Sequence, residues 1–342
     1  MAMPIRIAVN GRFEGRRIAG VDRYASGILR CLDGRVRIIK PSRQLAGVRG
    51  HLWEQLILPG LISKDELLWS PANSGPMAVS NQVVTIHDLT PLEHPEWFLP
   101  AYSLLYRFLF PILARRTKCV ITPSDFVRQE VIQHFSLAAD RVVVVHEGVD
   151  TEKFQRCDPF PVQERYRLPE NYILFIGSLQ PRKNLGSLLN AWKLIKDDFP
   201  KTALVVVGTS GRVFRRIELP PNMDRVMFLG YVADDELPAL YSGASVYVLP
   251  SFEEGFGLTM LESMACGTPV IASNGGALPE VAGDAALLVN PYRTDQIADA
   301  LRRFLLDTIL SSEYTMKGLE RASRFTWEKS AKEIWDVFSR YA

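Results

Sequence analysis

The sequence has 342 residues, a length that suits two domains, and its 47% hydrophobic and 23% charged content is typical of a globular protein with a full core. The formal net charge of only +2 excludes the strongly basic balance of proteins that bind nucleic acid, so no nucleic-acid partner is expected. The four scattered cysteines form no C-x-x-C pair, which favours reduced thiols in the cytosol and argues against a zinc site.

Targeting segments are not predicted. The first nine residues are too short and too charged a stretch for a signal peptide, and they predict a strand instead. No apolar run reaches the roughly 18 residues that a membrane-spanning helix needs.

Apolar runs predict buried strands along the whole chain. In the first half they cover residues 5–9, 36–39, 67–69, 82–86, 119–124 and 141–145. A proline-rich polar stretch, 157–161, predicts a linker, after which the strand pattern restarts at 172–176, 203–207, 226–232, 244–249, 269–272 and 286–289. Helices are predicted between the strands, among them about 25–32, 51–59, 258–265 and a helix that Ser124 caps. The pattern therefore predicts two α/β units in succession.

Loops that contain glycine follow several of these strands. Glycines between a strand and a helix let an anion approach backbone N–H groups. The loop after 172–176 opens with Gly177 and carries Arg182 and Lys183. A diphosphate suits both side chains, because the Arg182 guanidinium can bind two oxygens in a fork and the Lys183 ammonium acts as a point charge. Gly208 begins a second such turn after 203–207. The loop after the first strand lacks the G-x-G-x-x-G spacing of a dinucleotide site, and Arg16 and Arg17 in it are interpreted as solvated charges.

The stretch 250–262 carries the most informative pattern. Glu254 and Glu262 bracket a Gly-Phe-Gly turn between a predicted buried strand and a helix. This arrangement resembles the Glu-x7-Glu motif of the family 4 glycosyltransferases, which are retaining enzymes of the GT-B fold. The resemblance extends over nearly the whole chain and is more specific in the second half. Taken alone, the same spacing would also fit a helix cap followed by a solvated glutamate.

The resemblance implies specific roles. Glu254 would lie by the donor sugar and Glu262 would bind the ribose, while Arg182 and Lys183 would clamp the diphosphate and stabilise it as a leaving group. Other donor contacts would come from the turns, mainly through backbone groups, at Gly177, Gly208, Tyr231, Val232, Gly255, Phe256, Gly257 and Leu258. In the first half, Gly20 and Val21 would face the donor phosphates and the acceptor. At 147 the family commonly has Asn where this chain has Glu147.

His87 and Asp88 lie at the carboxyl end of the predicted strand 82–86, where ligands bind in open α/β sheets. His87 would donate a hydrogen bond to a sugar oxygen and Asp88 would fix its tautomer. His87 is predicted to be catalytic together with Glu254, Arg182 and Lys183. A loop histidine that packs the turn is the alternative, and the resemblance favours the functional interpretation. The other histidines are interpreted as structural.

The segment 94–116 is the most apolar and aromatic part of the chain and ends in arginines. It predicts a helix that serves the core for most of its length. A second interpretation is contact with the bilayer, with Trp97 and Phe98 inserting and Arg107 and Arg115 meeting lipid phosphates.

The domain prediction follows from these elements. Residues 1–160 would form an acceptor-binding Rossmann-like domain and 161–324 a donor-binding one, facing each other across a cleft. The C-terminal helix, 325–342, would cross back to the first domain with Trp327, Ala331, Ile334, Trp335 and Phe338 on one face.

The expected chemistry is transfer of a hexose from a nucleotide diphosphate to an acceptor hydroxyl. No D-x-D triplet occurs, so cations and glycine turns would replace a metal, and neither a metal nor another cofactor is expected. A Trp-Glu-Gln segment at 53–55 resembles mannosyltransferases that build bacterial O-chains, which makes GDP-mannose the first choice of donor, a UDP-hexose the second, and a lipid-linked oligosaccharide the expected acceptor. The expected location is cytoplasmic, with peripheral contact at the inner face of the plasma membrane.

Three other functions stay open at this point. A nucleotide-sugar epimerase on the same scaffold would isomerise the donor without an acceptor. A dinucleotide dehydrogenase is disfavoured because the first strand lacks its glycine motif. A sugar-nucleotide-binding regulator would bind the donor but never release nucleoside diphosphate.

Overall fold

A computed structural model describes residues 5–14, 20–45, 47–211, 213–215 and 223–342. The chain forms two compact units. The first comprises residues 1–95, 100–148 and 327–342, and the second comprises 96–99 and 149–326. Among the described residues, no helix is both long and apolar enough to cross a membrane.

The first unit is built on a six-stranded parallel sheet with the order β2-β1-β3-β4-β5-β6. Its strands are β1 (Ile7–Asn10), β2 (Arg37–Ile39), β3 (Leu67–Ser70), β4 (Gln82–Thr85), β5 (Cys119–Thr122) and β6 (Val142–Val144). Every residue of the four inner strands, β1, β3, β4 and β5, is buried, as expected for a parallel sheet covered by helices on both faces. All six strand predictions for this half are therefore confirmed.

The helices of this unit lie on both faces of the sheet. They are α1 (Gly20–Cys31), α2 (Gly47–Leu56), α3 (Thr90–Glu93), α4 (Pro100–Arg116), α5 (Asp125–Phe135) and, at the end of the chain, α13 (Trp327–Tyr341). Ser124 caps α5 as predicted, because its hydroxyl accepts a hydrogen bond from the Val127 amide at 3.2 Å. Helix α1 begins at Gly20, five residues before the predicted start.

Strand register decides which helices share a face. Side chains alternate across a strand, and the pairing of β1, β3, β4 and β5 puts Ala8, Leu68, Val84 and Val120 on the same face. Trp53 of α2 packs on this face in one cluster, and residues of α4 and α5 pack on it in another. Helices α2, α4 and α5 therefore cover one face of the first sheet.

Helices α1 and α13 cover the opposite face. Trp69, on the other side of β3, contacts the rings of Tyr24 in α1 and Phe338 in α13. Gly27 lets the two helices approach, because a Cβ atom there would lie 2.5 Å from the Trp327 ring. The prediction that the last helix crosses back to the first domain is confirmed.

The second unit contains another six-stranded parallel sheet, with the order β12-β11-β10-β7-β8-β9. Its strands are β7 (Asn171–Ile176), β8 (Thr202–Val207), β9 (Val226–Gly230), β10 (Val246–Leu249), β11 (Val270–Ser273) and β12 (Leu287–Val289). Its helices are α6 (Phe160–Tyr166), α7 (Leu185–Ile195), α8 (Leu237–Gly243), α9 (Leu258–Ala265), α10 (Leu278–Ala282), α11 (Thr294–Leu306) and α12 (Thr308–Ser323). The strands agree with those predicted. This order is that of a Rossmann-like fold.

The division between the units falls at Gly148 and Val149, whereas the sequence places it at residue 160. The intervening segment is tied to the second unit. The Val149 amide donates to the Phe325 carbonyl at 3.0 Å, and the Cys157 amide donates to the Ser242 hydroxyl at 3.1 Å. Part of the stretch predicted as a linker forms the start of helix α6.

Residues 96–99 belong to the second unit although their neighbours belong to the first. The Leu99 amide donates to the Val213 carbonyl at 2.8 Å, and Phe98 is buried against the ring of Phe214. Trp97 stacks on Phe252 with the ring centroids 6.0 Å apart. Phe98 is therefore not available to a bilayer, which contradicts that part of the sequence interpretation.

Candidate active site

The order of the second sheet reverses between β7 and β10, which are neighbours in the sheet although two strands, β8 and β9, lie between them in the chain. In open α/β sheets, ligands bind beyond the carboxyl ends of the strands at such a reversal. The two loops that leave these strands are residues 177–184 and 250–257, and they carry the predicted cations and Glu254. Backbone joins them directly, since the Phe252 amide donates to the Arg182 carbonyl at 2.9 Å.

The loop after β7 holds Lys183 in a fixed place. Lys183 ends a 3₁₀ turn, Pro181–Lys183, and its side chain is largely buried. Its aliphatic stem lies along Gly177, where an added Cβ would meet it at 3.5 Å. Asn184, in the left-handed region with φ 52°, donates to the carbonyls of Pro250 at 3.0 Å and Pro291 at 2.8 Å. The loop is thereby attached to the chain that follows β10.

Three of the four residues predicted to be catalytic converge here. Arg182 Nη1 donates to one carboxylate oxygen of Glu254 at 2.6 Å, and Lys183 Nζ donates to the other, also at 2.6 Å. The Ser251 hydroxyl donates to the second oxygen as well, at 2.6 Å. The site therefore consists of two cations, held by a buried carboxylate, at the switch point of the sheet.

The electrostatics of the cluster are those of a strong ion pair. Burial by itself would raise the pKa of Glu254. The charges of Arg182 and Lys183, with hydrogen bonds from Lys183 and Ser251, outweigh burial and lower this pKa to about 2. Glu254 is therefore an anion at neutral pH.

The backbone of Glu254 is held by residues to which the sequence assigns no role. Its carbonyl accepts a hydrogen bond from the Ala277 amide at 2.8 Å. Gly275 and Gly276 make this approach possible, because a Cβ at Gly275 would lie 2.0 Å from the Phe252 carbonyl oxygen and one at Gly276 would lie 2.4 Å from that of Glu254. The adjacent glycines after β11 are the signal in the sequence that could have identified them.

Gly208 follows β8 beside the same loop. Its φ is 138°, and a Cβ there would lie 1.8 Å from the Gly177 carbonyl oxygen. Only glycine fits this position, so the predicted importance of Gly208 for the shape of this turn has a clear physical basis. The turn remains a predicted phosphate contact.

The turn into α9 is largely closed off by packing. Gly257 has a φ of 98°, and a Cβ there would collide with Leu278 at 2.5 Å. Phe256 is buried against the ring of Phe325, and Leu258 is buried too, so any ligand contact of these two residues has to come from the backbone. Gly255, between Glu254 and Phe256, is buried as well.

Glu262, the second glutamate of the motif, lies in α9 and is buried. The Tyr241 hydroxyl donates to its Oε2 at 3.2 Å. Tyr231 and Val232 follow β9 at the edge of the sheet, the first exposed and the second buried. Ribose binding by Glu262 and base contacts by Tyr231 and Val232 stay predictions.

His87, in the first unit, has a different partner from the one predicted. Its Nδ1 lies 3.0 Å from Glu147 Oε1, and its Nε2 lies 2.8 Å from the Pro71 carbonyl oxygen. Asp88 instead accepts from the Thr90 amide at 3.2 Å. The expectation that Asp88 fixes the His87 tautomer is wrong, because the carboxylate of Glu147 takes that position.

Both ring nitrogens of His87 thus face acceptors. Burial lowers the pKa of His87, but the hydrogen bond and charge of Glu147 and the Pro71 carbonyl raise it by more, so that the net shift is upward. This favours the imidazolium. In this arrangement neither nitrogen is directed at a ligand, so the predicted hydrogen bond to a sugar oxygen would require His87 to exchange a partner.

Gly20 and Val21 are the first two residues of α1, not loop residues as expected. Gly20 is exposed and has open space around its Cα. A helix N-terminus retains the predicted preference for an anion. Arg16 and Arg17, which precede them, lie outside the described residues.

A buried ion pair supports the loops after β1 and β3 in the first unit. Glu54 Oε1 accepts from Arg12 Nε at 3.0 Å, from Asn10 Nδ2 at 2.7 Å and from the Ser74 hydroxyl at 2.9 Å. Sequence reasoning singled out Glu54 only as part of a subfamily likeness. Its place in a buried charged network explains why α2 carries a glutamate beside the buried Trp53.

Known proteins match the chain in both halves. The model of Glycosyltransferase Family 4 matches residues 69–153, and that of Glycosyl transferases group 1 matches residues 160–321. O-antigen chain mannosyltransferase B of Escherichia coli is 33% identical over 312 residues, which cover 88% of this chain and 78% of that protein. The chain belongs to the family 4 glycosyltransferases. The prediction of a glycosyltransferase is therefore confirmed.

Two further relatives define how far the likeness extends. The serotype-specific mannosyltransferase WbdA of Escherichia coli is 29% identical over 272 residues, which cover 75% of this glycosyltransferase but only 33% of WbdA. The crystal structure of HepE from Anabaena in complex with UDP-glucose has a TM-score of 0.76 at 18% identity, covering 98% of this chain and 100% of HepE. This structural likeness confirms the GT-B fold.

Proposed function

We propose that this glycosyltransferase moves a mannosyl group from GDP-mannose to a hydroxyl of a lipid-linked glycan during synthesis of a bacterial surface polysaccharide, with the anomeric configuration retained. The observation that carries the proposal is the convergence of Arg182 and Lys183 on Glu254 at the switch point of the second sheet. The names of the relatives, O-antigen and serotype-specific mannosyltransferases, support mannose as the sugar.

The two cations suit a diphosphate. The Glu254 carboxylate bridges them through its two oxygens, which supports the proposal that Arg182 and Lys183 neutralise the oxygens of a diphosphate. Donor binding would add phosphate oxygens to the same cations, and Gly177 and Gly208 would leave the backbone accessible beside them. Glu254 would then be released toward the hydroxyls of the sugar.

The transfer step follows from that placement. The bond between the anomeric carbon and the diphosphate oxygen breaks, and its electron pair stays with the departing diphosphate. The acceptor oxygen forms the new bond on the same face of the sugar, and its proton passes to a diphosphate oxygen. Arg182 and Lys183 stabilise the charge that develops on the leaving group, which is the largest contribution such a site makes.

Charge neutralisation by protein groups is the proposed substitute for a metal ion. Two cations and the glycine turns would compensate the diphosphate. Transfer should therefore continue at an unchanged rate when a chelator such as EDTA is added. A loss of activity that Mg²⁺ or Mn²⁺ restores would contradict this part of the proposal.

The donor is tested first by thermal unfolding. A ligand that binds only the native state raises the melting temperature, by an amount equivalent to about 2.7 kcal/mol at a hundred times its Kd. GDP-mannose should give a larger shift than UDP-glucose at equal concentration. UDP-glucose is the matched control, because HepE, which shares the fold, was solved with it. A shift with UDP-glucose alone would contradict GDP-mannose as the donor and favour a UDP-hexose.

Transfer is tested with GDP-mannose and a lipid-linked oligosaccharide. The proposal predicts one new α-mannosyl linkage for each GDP released, with the anomeric proton read by NMR. Incubation without acceptor is the control, and it should leave the donor sugar unchanged. An isomerised sugar in that control would indicate an epimerase, and an inverted linkage would exclude retention.

A further inference from the structure

Helices α2 and α4 present one outward surface. Both pack on the same face of the first sheet, α2 through Trp53 and α4 through Tyr106 and Leu113. They are neighbours there, since the rings of His51 in α2 and Tyr106 in α4 lie edge to face with centroids 6.4 Å apart. Their other sides therefore point away from the sheet in the same direction.

Those outward sides are apolar. In α2, Val48 and Leu56 are each 75% exposed and Leu52 lies between them at the same helical spacing. In α4, Phe108 is 64% exposed, and Leu104 and Ile112 continue its row one turn to either side. Two rows of large exposed apolar side chains, on neighbouring helices, mark an interaction surface. We call these six residues the α2/α4 surface.

The exposed charges that α2 and α4 themselves carry have a single sign. The exposed ionisable residues on the two helices are Arg49, Arg107, Arg115 and Arg116. Within α2 and α4, all of whose residues the structure describes, the only carboxylate is Glu54, and it is buried in the ion pair with Arg12. An apolar strip with cations and no exposed carboxylate is complementary to anionic headgroups above a hydrocarbon layer.

We propose that the α2/α4 surface docks this enzyme on an anionic phospholipid bilayer. Leu52, Leu56, Leu104 and Phe108 would enter the boundary between headgroups and acyl chains, and the arginines would meet lipid phosphates. This deepens the proposed function, because it rests on the acceptor being lipid-linked. It replaces Trp97 and Phe98, which pack within the second unit, as the apolar residues that contact lipid.

A second copy of the chain fits this surface less well. An isologous contact places the same patch of both copies together. The arginines of one copy would then find no exposed carboxylate on α2 or α4 of the other. The charge pattern therefore selects an anionic surface over self-association.

The test is vesicle binding by the full chain without donor or acceptor. Flotation would be compared between vesicles of phosphatidylcholine alone and vesicles of phosphatidylcholine mixed with phosphatidylglycerol. The doubly substituted variant Leu56→Ser/Phe108→Ser should bind the mixed vesicles at least about tenfold more weakly, because each substitution removes a large apolar group. Arg107→Glu/Arg115→Glu should lower binding to the mixed vesicles and make it less sensitive to salt.

Matched controls come from the second unit. Leu306 and Ile309 are as exposed as the residues of the surface, so Leu306→Ser/Ile309→Ser removes similar apolar area elsewhere. Lys193 and Arg303 are exposed cations on other helices, and Lys193→Glu/Arg303→Glu makes the same change of net charge. Both control variants should bind mixed vesicles as the unsubstituted enzyme does.

Each result decides the proposal. Selective loss in the two surface variants supports it. Absence of vesicle binding by the unsubstituted enzyme overturns it, as does equal binding by surface and control variants. A dimer in sedimentation velocity that Leu56→Ser/Phe108→Ser dissociates, without vesicle binding, overturns it in favour of a second copy. Thermal shifts with GDP-mannose test the donor separately, so failure of docking and failure of the proposed reaction are distinguishable.

Discussion

Lys183 is the residue on which the proposed chemistry depends most directly, since its ammonium lies 2.6 Å from Glu254 in a buried site. Lys183→Ala removes a charge aimed at the leaving group, and we expect turnover to fall by about two orders of magnitude or more. The measurement is release of GDP under saturating donor. Lys193→Ala, at an exposed position, is the control and should keep full turnover. Equal turnover in both variants would remove Lys183 from the mechanism.

Glu254 should make the free energy of unfolding decrease as the pH falls into the acidic range. Its folded pKa of about 2 lies below the unfolded value of 4.5, so its contribution is present above the unfolded value and is lost as pH falls toward 2. The difference corresponds to about 3 kcal/mol in the free energy of unfolding. Glu254→Gln should therefore unfold with a flatter dependence on pH in this range than the unsubstituted enzyme in urea titrations. If the free energy of unfolding changed with pH equally in the variant and in the unsubstituted enzyme, the result would contradict the ion pair.

The Glu147 carboxylate should make the free energy of unfolding depend on pH in the opposite sense, because it raises the pKa of His87. A raised folded pKa gives stability that is present below the unfolded pKa, ordinarily about 6.5, and is lost as pH rises through the folded one. Glu147→Gln keeps a hydrogen-bond acceptor but removes the charge, so its loss of stability should be larger at pH 6 than at pH 9. NMR titration of the His87 ring should show a lower pKa in the variant. An unchanged ring titration would disprove the pairing.

At this scale the sequence was informative where a motif places charges in loops that follow predicted strands, as for Arg182, Lys183 and Glu254. It could not identify Ser251, Gly276 or Glu147 as partners. Glu147 meets His87 across sixty positions of the chain, and no local pattern records such a pair. The resemblance even pointed away from it, because the family commonly has a neutral residue there.

The turn after β8 shows how an element can be fixed by one backbone position. Gly208→Ala places a methyl group 1.8 Å from the Gly177 carbonyl oxygen, at a φ that L-residues avoid. We expect a loss of at least about 1–3 kcal/mol in the free energy of unfolding and weaker donor binding. Gly186→Ala, in helix α7 with open space around it, is the control and should be neutral or stabilising. Equal effects of the two changes would contradict the crowding.

Strands were more predictable than helix ends. All twelve strand positions could be predicted because buried parallel strands consist of short runs of apolar residues. The start of α1 was missed because Val21, Asp22 and Arg23 are only half-buried and lack apolar periodicity. The first two residues of helix α6 were interpreted as part of a linker for a related reason, since prolines that mark a turn also occupy the first turn of a helix.

Across the whole molecule, the first unit depends on the end of the chain. Helix α13 covers Trp69 and Tyr24 with Phe338 and Trp327. Truncation after Thr326 should expose this face and make residues 1–148 sensitive to limited proteolysis under native conditions. Lys332→Ala, at an exposed position of α13, should leave the digestion pattern unchanged. Resistance of the truncated protein would show that the helix is dispensable.

The domain organisation was predictable in outline and not in detail. Periodicity and a restarted strand pattern are local signals, and they revealed two α/β units. The membership of residues 96–99 in the second unit arises from pairing with residues 213–215, more than a hundred positions away. Aromatic composition alone could not distinguish that pairing from contact with lipid.

The place of α13 has a consequence for biosynthesis. Residues 327–342 complete the first unit, yet a ribosome releases them only after all of residues 149–326. At roughly 5–20 residues per second, the nascent first unit waits many seconds with Tyr24 and Trp69 uncovered. During that interval the second unit can already fold, so the part of the chain made first is the last to mature. Chaperones that bind exposed aromatic surface should therefore engage the nascent first unit before the second.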